Sequence, residues 1–270
     1  MVSRTEVALN HRSAHVWTGG RGEPVVLLHG AWSGARLHWS PVWDELAERV
    51  LVIAPDLPGL ADGTEPAPRS FDDAAAWVEQ LLDAMDVDSG WIVGNSFGAA
   101  VAWRLAARAP ARCRGLVLVN GAPPPSLPRI VRRLATRGPL RWMIDEVFRR
   151  NAYSPSTTRR AFADPTGAPP ELQQLFGQRR PRQFDITSTM VLAGDPPLPS
   201  PTAPTLLLWG ADDRLMGTNA KAAKRLLRSI PHGQLVLIPG AGHLPQLEKS
   251  HDFVAALIEF ITQRPDALHP

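Results

Sequence analysis

The chain predicts an α/β fold: a mainly parallel sheet covered by helices and interrupted once by a helical insertion. Three observations carry this. Short apolar runs such as Val25-Val26-Leu27-Leu28, Trp91-Ile92-Val93 and Leu116-Val117-Leu118-Val119 have the length and branching of buried parallel strands. Stretches with helical spacing alternate with them. The alternation stops at Gly121-Ala122-Pro123-Pro124-Pro125 and resumes after Pro199-Ser200-Pro201, so both borders of the interruption are proline-rich.

In chain order, the segments around 7–9 and 15–17 read as a β-hairpin, followed by strands at 25–28 and 50–53. A helix is expected from about Ser70 to Met85, where Ser70 and Asp73 resemble a capping box with aspartate in place of the usual glutamate or glutamine. Trp77, Leu81 and Leu82 give that helix its apolar stripe. Trp91-Ile92-Val93 is a strand, and Phe97 to Arg108 carries alanine, leucine and tryptophan at helical spacing up to the stop at Pro110. Strands at 116–119, 205–209 and 234–238 complete the set. No repeat interrupts it. Inside the insertion, Leu140, Trp142, Met143, Ile144, Val147 and Phe148, and then Leu172, Leu175 and Phe176, read as core-facing helix residues with a minority lining a pocket. Tyr153, Thr187 and Ser188 are hydroxyls available to a substrate there.

Composition bounds the answer. With 270 residues and 44% apolar content, one large domain with an insertion is expected. Cys113 is the only cysteine, which excludes a disulfide framework, and it lacks the context of a nucleophile. No run approaches the ~18 apolar residues of a membrane span, and the polar start shows no secretory signal. A cytoplasmic location is the default expectation, with no membrane partner. Between residues 122 and 200 twelve arginines face six acidic residues, although the whole chain is only +3. One reading is that Arg132, Arg133, Arg137, Arg141, Arg179, Arg180 and Arg182 attract a carboxylate, a CoA-type phosphate-bearing thioester or an acidic carrier protein. The other is a set of solvated helix faces, and charge runs usually face water. Without aromatic interleaving or a known module, nucleic acid is not expected.

The chemistry centres on Gly94-Asn95-Ser96-Phe97-Gly98, a G-x-S-x-G pentapeptide between a strand and a helix. A serine on such a turn sits in a strained backbone where strand and helix approach closely, which is why glycines flank it. Ser96 is the candidate nucleophile. An acyl-transfer enzyme needs two N–H groups for its oxyanion, one just after the nucleophile and one from the loop after an earlier strand. Phe97 and Ala31, in His29-Gly30-Ala31-Trp32, are the expected pair, with Trp32 N–H a substitute for the second. His29 is expected to tie this loop down rather than react. Two further loops follow strands: Trp209-Gly210-Ala211-Asp212-Asp213 offers an acid, and Gly240-Ala241-Gly242-His243-Leu244 a base. Each lies just past a parallel strand, at the edge where open α/β sheets build sites. The order serine, aspartate, histidine makes His243 the proton acceptor from Ser96.

With these motifs, nearly the whole chain resembles the α/β-hydrolase superfamily, in the lidded branch of esterases, lactonases and carbon–carbon bond hydrolases. The resemblance implies a mostly parallel eight-stranded sheet flanked by helices, a core of residues 1–121 and 201–270, and a helical lid at 122–200. It places the acid on Asp213, leaving Asp212 as a solvated neighbour or loop cap. Some relatives carry the acid after the preceding core strand, but here that position is Asn120, which holds no charge. Asp56-Leu57-Pro58-Gly59 resembles the family's D-x-P-G loop, whose aspartate braces backbone; Leu60-Ala61-Asp62-Gly63-Thr64 then departs from the usual histidine-glycine-serine run. Trp32, Phe97 and Leu244 are expected pocket walls. A serine nucleophile directs attack to a carbonyl carbon of an ester, lactone or thioester of a small to medium molecule, without metal or cofactor. The runner-up is hydrolysis of a carbon–carbon bond beside a ketone; lyases, cyclases and ligand-binding proteins share the scaffold.

Overall fold

Eight strands form one sheet in the order β1-β2-β4-β3-β5-β6-β7-β8: β1 (Ser3–Leu9), β2 (Arg12–Gly19), β3 (Pro24–Leu28), β4 (Leu51–Pro55), β5 (Gly90–Asn95), β6 (Cys113–Val119), β7 (Thr205–Gly210) and β8 (Gly233–Ile238). The computed structural model describes residues 1–9, 12–60, 63–64, 66–123, 138–178, 182–193, 195–215, 217–231 and 233–263, excluding the side chains of 140, 182, 183, 192 and 193. The β1–β2 hairpin joins antiparallel to β4, and from β4 onward every pairing is parallel. The strand expected at 50–53 begins one residue later, because Val50 N–H closes the preceding helix on Leu46 O at 3.0 Å.

Side chains alternate across the pleat and so feed two cores. Val26, Leu28, Ile92 and Leu118 pack with α2 (Phe71–Ala84) and α3 (Phe97–Arg108) on one face. Val25, Leu27, Val93 and Leu208 pack with α1 (Ala35–Ala47) and a C-terminal helix (Ser250–Thr262) on the other. Ser70 caps α2 by accepting the Asp73 N–H at 3.1 Å, while the Asp73 carboxylate takes the N–H of Arg69, one residue outside the box. In register, Leu28 lies opposite Gly94, Asn95 opposite Val119, and Gly210 opposite Ile238. The loops after β3, β5, β6, β7 and β8 therefore leave from one edge.

The insertion between β6 and β7 contains α4 (Gly138–Ala152), α5 (Thr157–Ala161), α6 (Pro170–Gly177) and α7 (Arg182–Ala193). Its apolar cluster, with Tyr153, Phe162, Leu172, Phe176 and Phe184, also takes in Trp32, Leu215 and Leu244 from three sheet-edge loops. Leu172, Leu175 and Phe176 are buried as expected, but Trp142, Met143 and Val147 are not core-facing: Trp142 is 70% exposed. The helix turns Asp145 and Phe148 inward, and those three lie on its opposite side. Arg141 binds Asp145 at 2.7 Å and Ser188 at 3.0 Å, and Arg149 and Arg150 both bind Glu146. Arg132, Arg133, Arg137, Arg179 and Arg180, and the side chain of Arg182, lie outside the described residues. The remaining helices are α8 (Ala220–Leu227), α9 (Pro245–Glu248) and α10 (Ser250–Thr262). Among the described residues, no helix is long and apolar enough to cross a membrane.

Candidate active site

Ser96 stands between β5 and α3 at φ 53°, ψ −108°. A non-glycine residue holds such a backbone at a cost of roughly 1–3 kcal/mol, so the surrounding structure must enforce it. The enforcement is visible in the flanking glycines. A Cβ on Gly94 would lie 2.2 Å from Gly98 O, and one on Gly98 would lie 2.1 Å from Leu28 O. Phe97 is the first residue of α3, so its N–H has no acceptor a turn behind it within the helix. It borders the same cavity as Ser96, Ala31, Trp32 and His243.

The loop after β3 that carries Ala31 is held from behind by His29. The ring Nε2 accepts the Leu57 N–H at 2.8 Å, so Nδ1 carries the proton and donates to Gly30 O at 2.7 Å. Burial lowers the pKa of His29, which fits a neutral ring fully occupied by backbone. Asp56 braces backbone too, accepting the Ala35 N–H at the start of α1 at 2.8 Å.

Of the two adjacent aspartates, only Asp213 faces the histidine. Its Oδ2 lies 2.7 Å from His243 Nδ1, and the two side chains are 0% and 3% exposed. Asp212 turns the other way and caps the next loop by accepting the Gly240 N–H at 2.9 Å. A carboxylate can only accept, so His243 Nδ1 donates to it, and in the neutral ring Nε2 is then the acceptor. Asp213 is further held by Leu215 N–H on Oδ1 at 2.9 Å and by Asn120 Nδ2 on Oδ2 at 2.8 Å.

Asn120 carries no charge, yet it reaches the same carboxylate. It sits at φ +42°, in the left-handed region that asparagine tolerates, and its Oδ1 accepts the Gly210 N–H at 2.8 Å. The signal available in the sequence was an asparagine directly after a buried strand. Trp32 packs on His243 with ring centroids 5.0 Å apart and meets Phe176 edge-on at 5.1 Å. Asn95 Nδ2 reaches His243 O at 3.2 Å. Leu244 is wholly buried in the insertion's cluster, behind the residues that line the cavity.

That cavity measures about 380 Å³. Its polar contributions come from Ser96, His243, Asn151, Tyr153, Thr187 and Thr218, with Tyr153 Oη 3.2 Å from Thr187 Oγ1; Ser188 is turned away onto Asp145. Among its described lining residues there is no aspartate, glutamate, lysine or arginine. The cavity brings the Ser96 hydroxyl and the His243 ring to one mostly apolar space that Ala31 and Phe97 also border.

Residues 25–257 match the model of the alpha/beta hydrolase family. A 2-hydroxymuconate semialdehyde hydrolase of Pseudomonas putida is 30% identical, over 99% of this chain and 96% of its own. A pimeloyl-[acyl-carrier protein] methyl ester esterase of Nitrosomonas europaea is 28% identical over 90% and 97%. Among solved structures, a thermophilic esterase from Thermogutta terrifontis has a TM-score of 0.71 and 25% identity, covering 96% of this chain and 98% of that one. With its sheet order, its elbow serine and this match across the core and the insertion, the chain belongs to the alpha/beta hydrolase family and is a hydrolase.

Proposed function

We propose that this protein hydrolyses a carboxylic ester, lactone or thioester with a neutral, mostly apolar acyl group, through Ser96, His243 and Asp213. Residues 122–200 serve as the lid over a core of 1–121 and 201–270. The described lining of the cavity beside Ser96, mostly apolar and without a charged side chain, supports this reading. Ser96 Oγ attacks the carbonyl carbon while His243 Nε2 takes its proton, and Asp213 stabilises the imidazolium. The oxyanion faces the N–H groups of Ala31 and Phe97, and one such donor lowers the barrier by about 3–4 kcal/mol. Collapse breaks the bond to the leaving alcohol or thiol, which leaves with the proton from His243. Water, activated by the same histidine, then releases the acid and restores Ser96.

The second reading, carbon–carbon bond cleavage, draws on the names of relatives, among them a 2-hydroxy-6-oxo-2,4-heptadienoate hydrolase of Pseudomonas putida, 28% identical over 90% of both chains. A dienoate is a carboxylate, and a buried carboxylate calls for a cationic partner. The described lining supplies none, which favours the neutral ester. A carrier-bound or CoA-bound thioester fits the first reading if its anionic part stays outside the cavity.

The test is a panel of neutral nitrophenyl esters, a 2-hydroxy-6-oxodienoate, and a fluorophosphonate probe. Ester turnover with labelling at Ser96 is expected, and Ser96→Ala should lose at least about a thousandfold in kcat. Faster cleavage of the dienoate than of any ester would establish the second reading; labelling without hydrolysis of either would point to a lyase, cyclase or binding protein. Anionic and neutral esters should respond alike to salt, because charge runs usually face water and three of the described lid arginines, 141, 149 and 150, are bound to carboxylates within the lid.

A further inference from the structure

The loops that carry the acid and the base do not stand alone. A short stretch of the insertion, residues 160–163 at the end of α5, lies across both of them. Arg160 O accepts the N–H of Arg214, next to Asp213, at 2.9 Å. Ala161 O accepts the N–H of His243 itself at 2.5 Å. Glu248, the last residue of α9, closes the arrangement from the core side. Its Oε2 accepts the Ala163 N–H at 2.7 Å and its Oε1 the Gly242 N–H at 2.8 Å. One carboxylate therefore joins the residue before His243 to the insertion.

The residue type matters at this point. Two backbone N–H groups converge on the side chain, and both need an acceptor. A carboxylate offers two oxygens and no competing proton; the amide of glutamine offers one oxygen and turns N–H toward the second donor. An aspartate is one methylene shorter. Burial raises the pKa of this carboxyl, while the N–H groups of Ala163, Gly242 and Leu244 act the other way by favouring the charged form.

We propose that Glu248 is a positioning residue: its two-oxygen grip fixes the His243 loop against residues 160–163, keeps Nε2 aimed at Ser96, and makes catalytic competence depend on the seating of the insertion. The inference rests on the reading of His243 as the base. A side chain that only stabilised the loop would change melting and leave turnover of the folded protein intact. A positioning residue changes kcat with the fold present, because a misplacement of about 1 Å costs on the order of a hundredfold.

The experiment compares wild type, Glu248→Gln, Glu248→Ala and Val87→Ala, the last a buried core position in the loop that leads into β5, away from the edge that carries Ser96. The readouts are thermal melting, kcat and KM on one neutral nitrophenyl ester, and the rate of fluorophosphonate labelling of Ser96. Glu248→Gln should fold, keep KM within about twofold, and lose roughly tenfold or more in both kcat and labelling rate, while Val87→Ala melts earlier and keeps both. If Glu248→Ala fails to fold, the near-isosteric glutamine still decides the matter. Wild-type kcat and labelling rate in Glu248→Gln would overturn the proposal while leaving the triad intact. Wild-type protein that is neither labelled nor active would overturn the triad reading, and this proposal with it.

Discussion

The sheet and the insertion meet over Ser96, and they are built differently. In the sheet, side chains alternate into two cores and neighbouring strands end together, so the backbone packs tightly: a Cβ on Gly98 has 2.1 Å to Leu28 O. In the insertion, Gly167 and Gly177 have nothing within 4 Å of where a Cβ would stand, and Trp142 is 70% exposed on the outer side of α4. Ser96, Asp213 and His243 all leave from the tightly packed edge. The insertion reaches them through a few hydrogen bonds and an apolar cluster that takes in Trp32, Leu215 and Leu244. Under the proposed mechanism, rate would rest on the rigid backbone register of the sheet edge, and substrate choice on the part with room to vary.

The sharpest way to break this contrast is to add the same kind of side chain to both regions. Gly98→Val should yield no soluble folded protein, since the clash is with backbone that cannot turn aside. Gly177→Ala, at the end of α6, should melt at the wild-type temperature or slightly above, a gain of up to about 1 kcal/mol. A soluble, active Gly98→Val protein would show that the elbow is looser than described. Next in size is the pair of adjacent aspartates. Asp213→Asn should lower kcat by about 10⁴ by disturbing the tautomer of His243, whereas Asp212→Asn should stay within a few-fold, because it only caps Gly240. Steady-state kinetics of the two variants decides this, and the reverse order would move the acid by one residue.

The smallest effect separates the regions by pH. His29 and His38 are buried beneath the sheet edge, and burial lowers both pKa values, with His29 and His243 nearby adding to the effect at His38. The unfolded chain binds protons below about pH 6.5 that the folded chain refuses. Their contribution is therefore complete above pH 6.5 and lost as pH falls, by up to about 1.4 kcal/mol per pH unit for each histidine. Urea midpoints between pH 7 and 5 should fall accordingly. Phe176→Ala, in the insertion, should lower the whole curve by about 3–5 kcal/mol without changing its slope. A flat curve for the wild type would mean that the two rings are solvated.

The sequence made the sheet and the loops of Ser96, Asp213 and His243 legible because all obey short rules. The helix predicted from Phe97 to Arg108 has those bounds, and the Ser70 cap is present. Glycine spacing around Ser96 announces the elbow. Asn120 escaped because its role lies in a side chain that crosses from β6 to the loop after β7, and no periodicity reports a contact 93 residues away. Glu248 escaped for the same reason, since its partner Ala163 is 85 residues distant. In the insertion the apolar run from Trp142 to Phe148 suggested burial, but a helix with one covered side exposes every other part of such a run. Leu244 adjoins His243 in sequence and still turns into the cluster behind it.

Residues 160–163 also bear on how this protein can be re-engineered. Exchanging 122–200 for the equivalent stretch of another hydrolase is an obvious route to new substrates. Here the carbonyls of Arg160 and Ala161 belong to the exchanged piece, while the N–H groups of Arg214 and His243 that need them stay behind. A transplanted segment that lacks a helix end at this point would leave both donors without their acceptors, and its loss of turnover would be mistaken for a poor choice of pocket. The safe cut therefore lies inside the inserted region, retaining 160–163 with the host and replacing only the helices on either side.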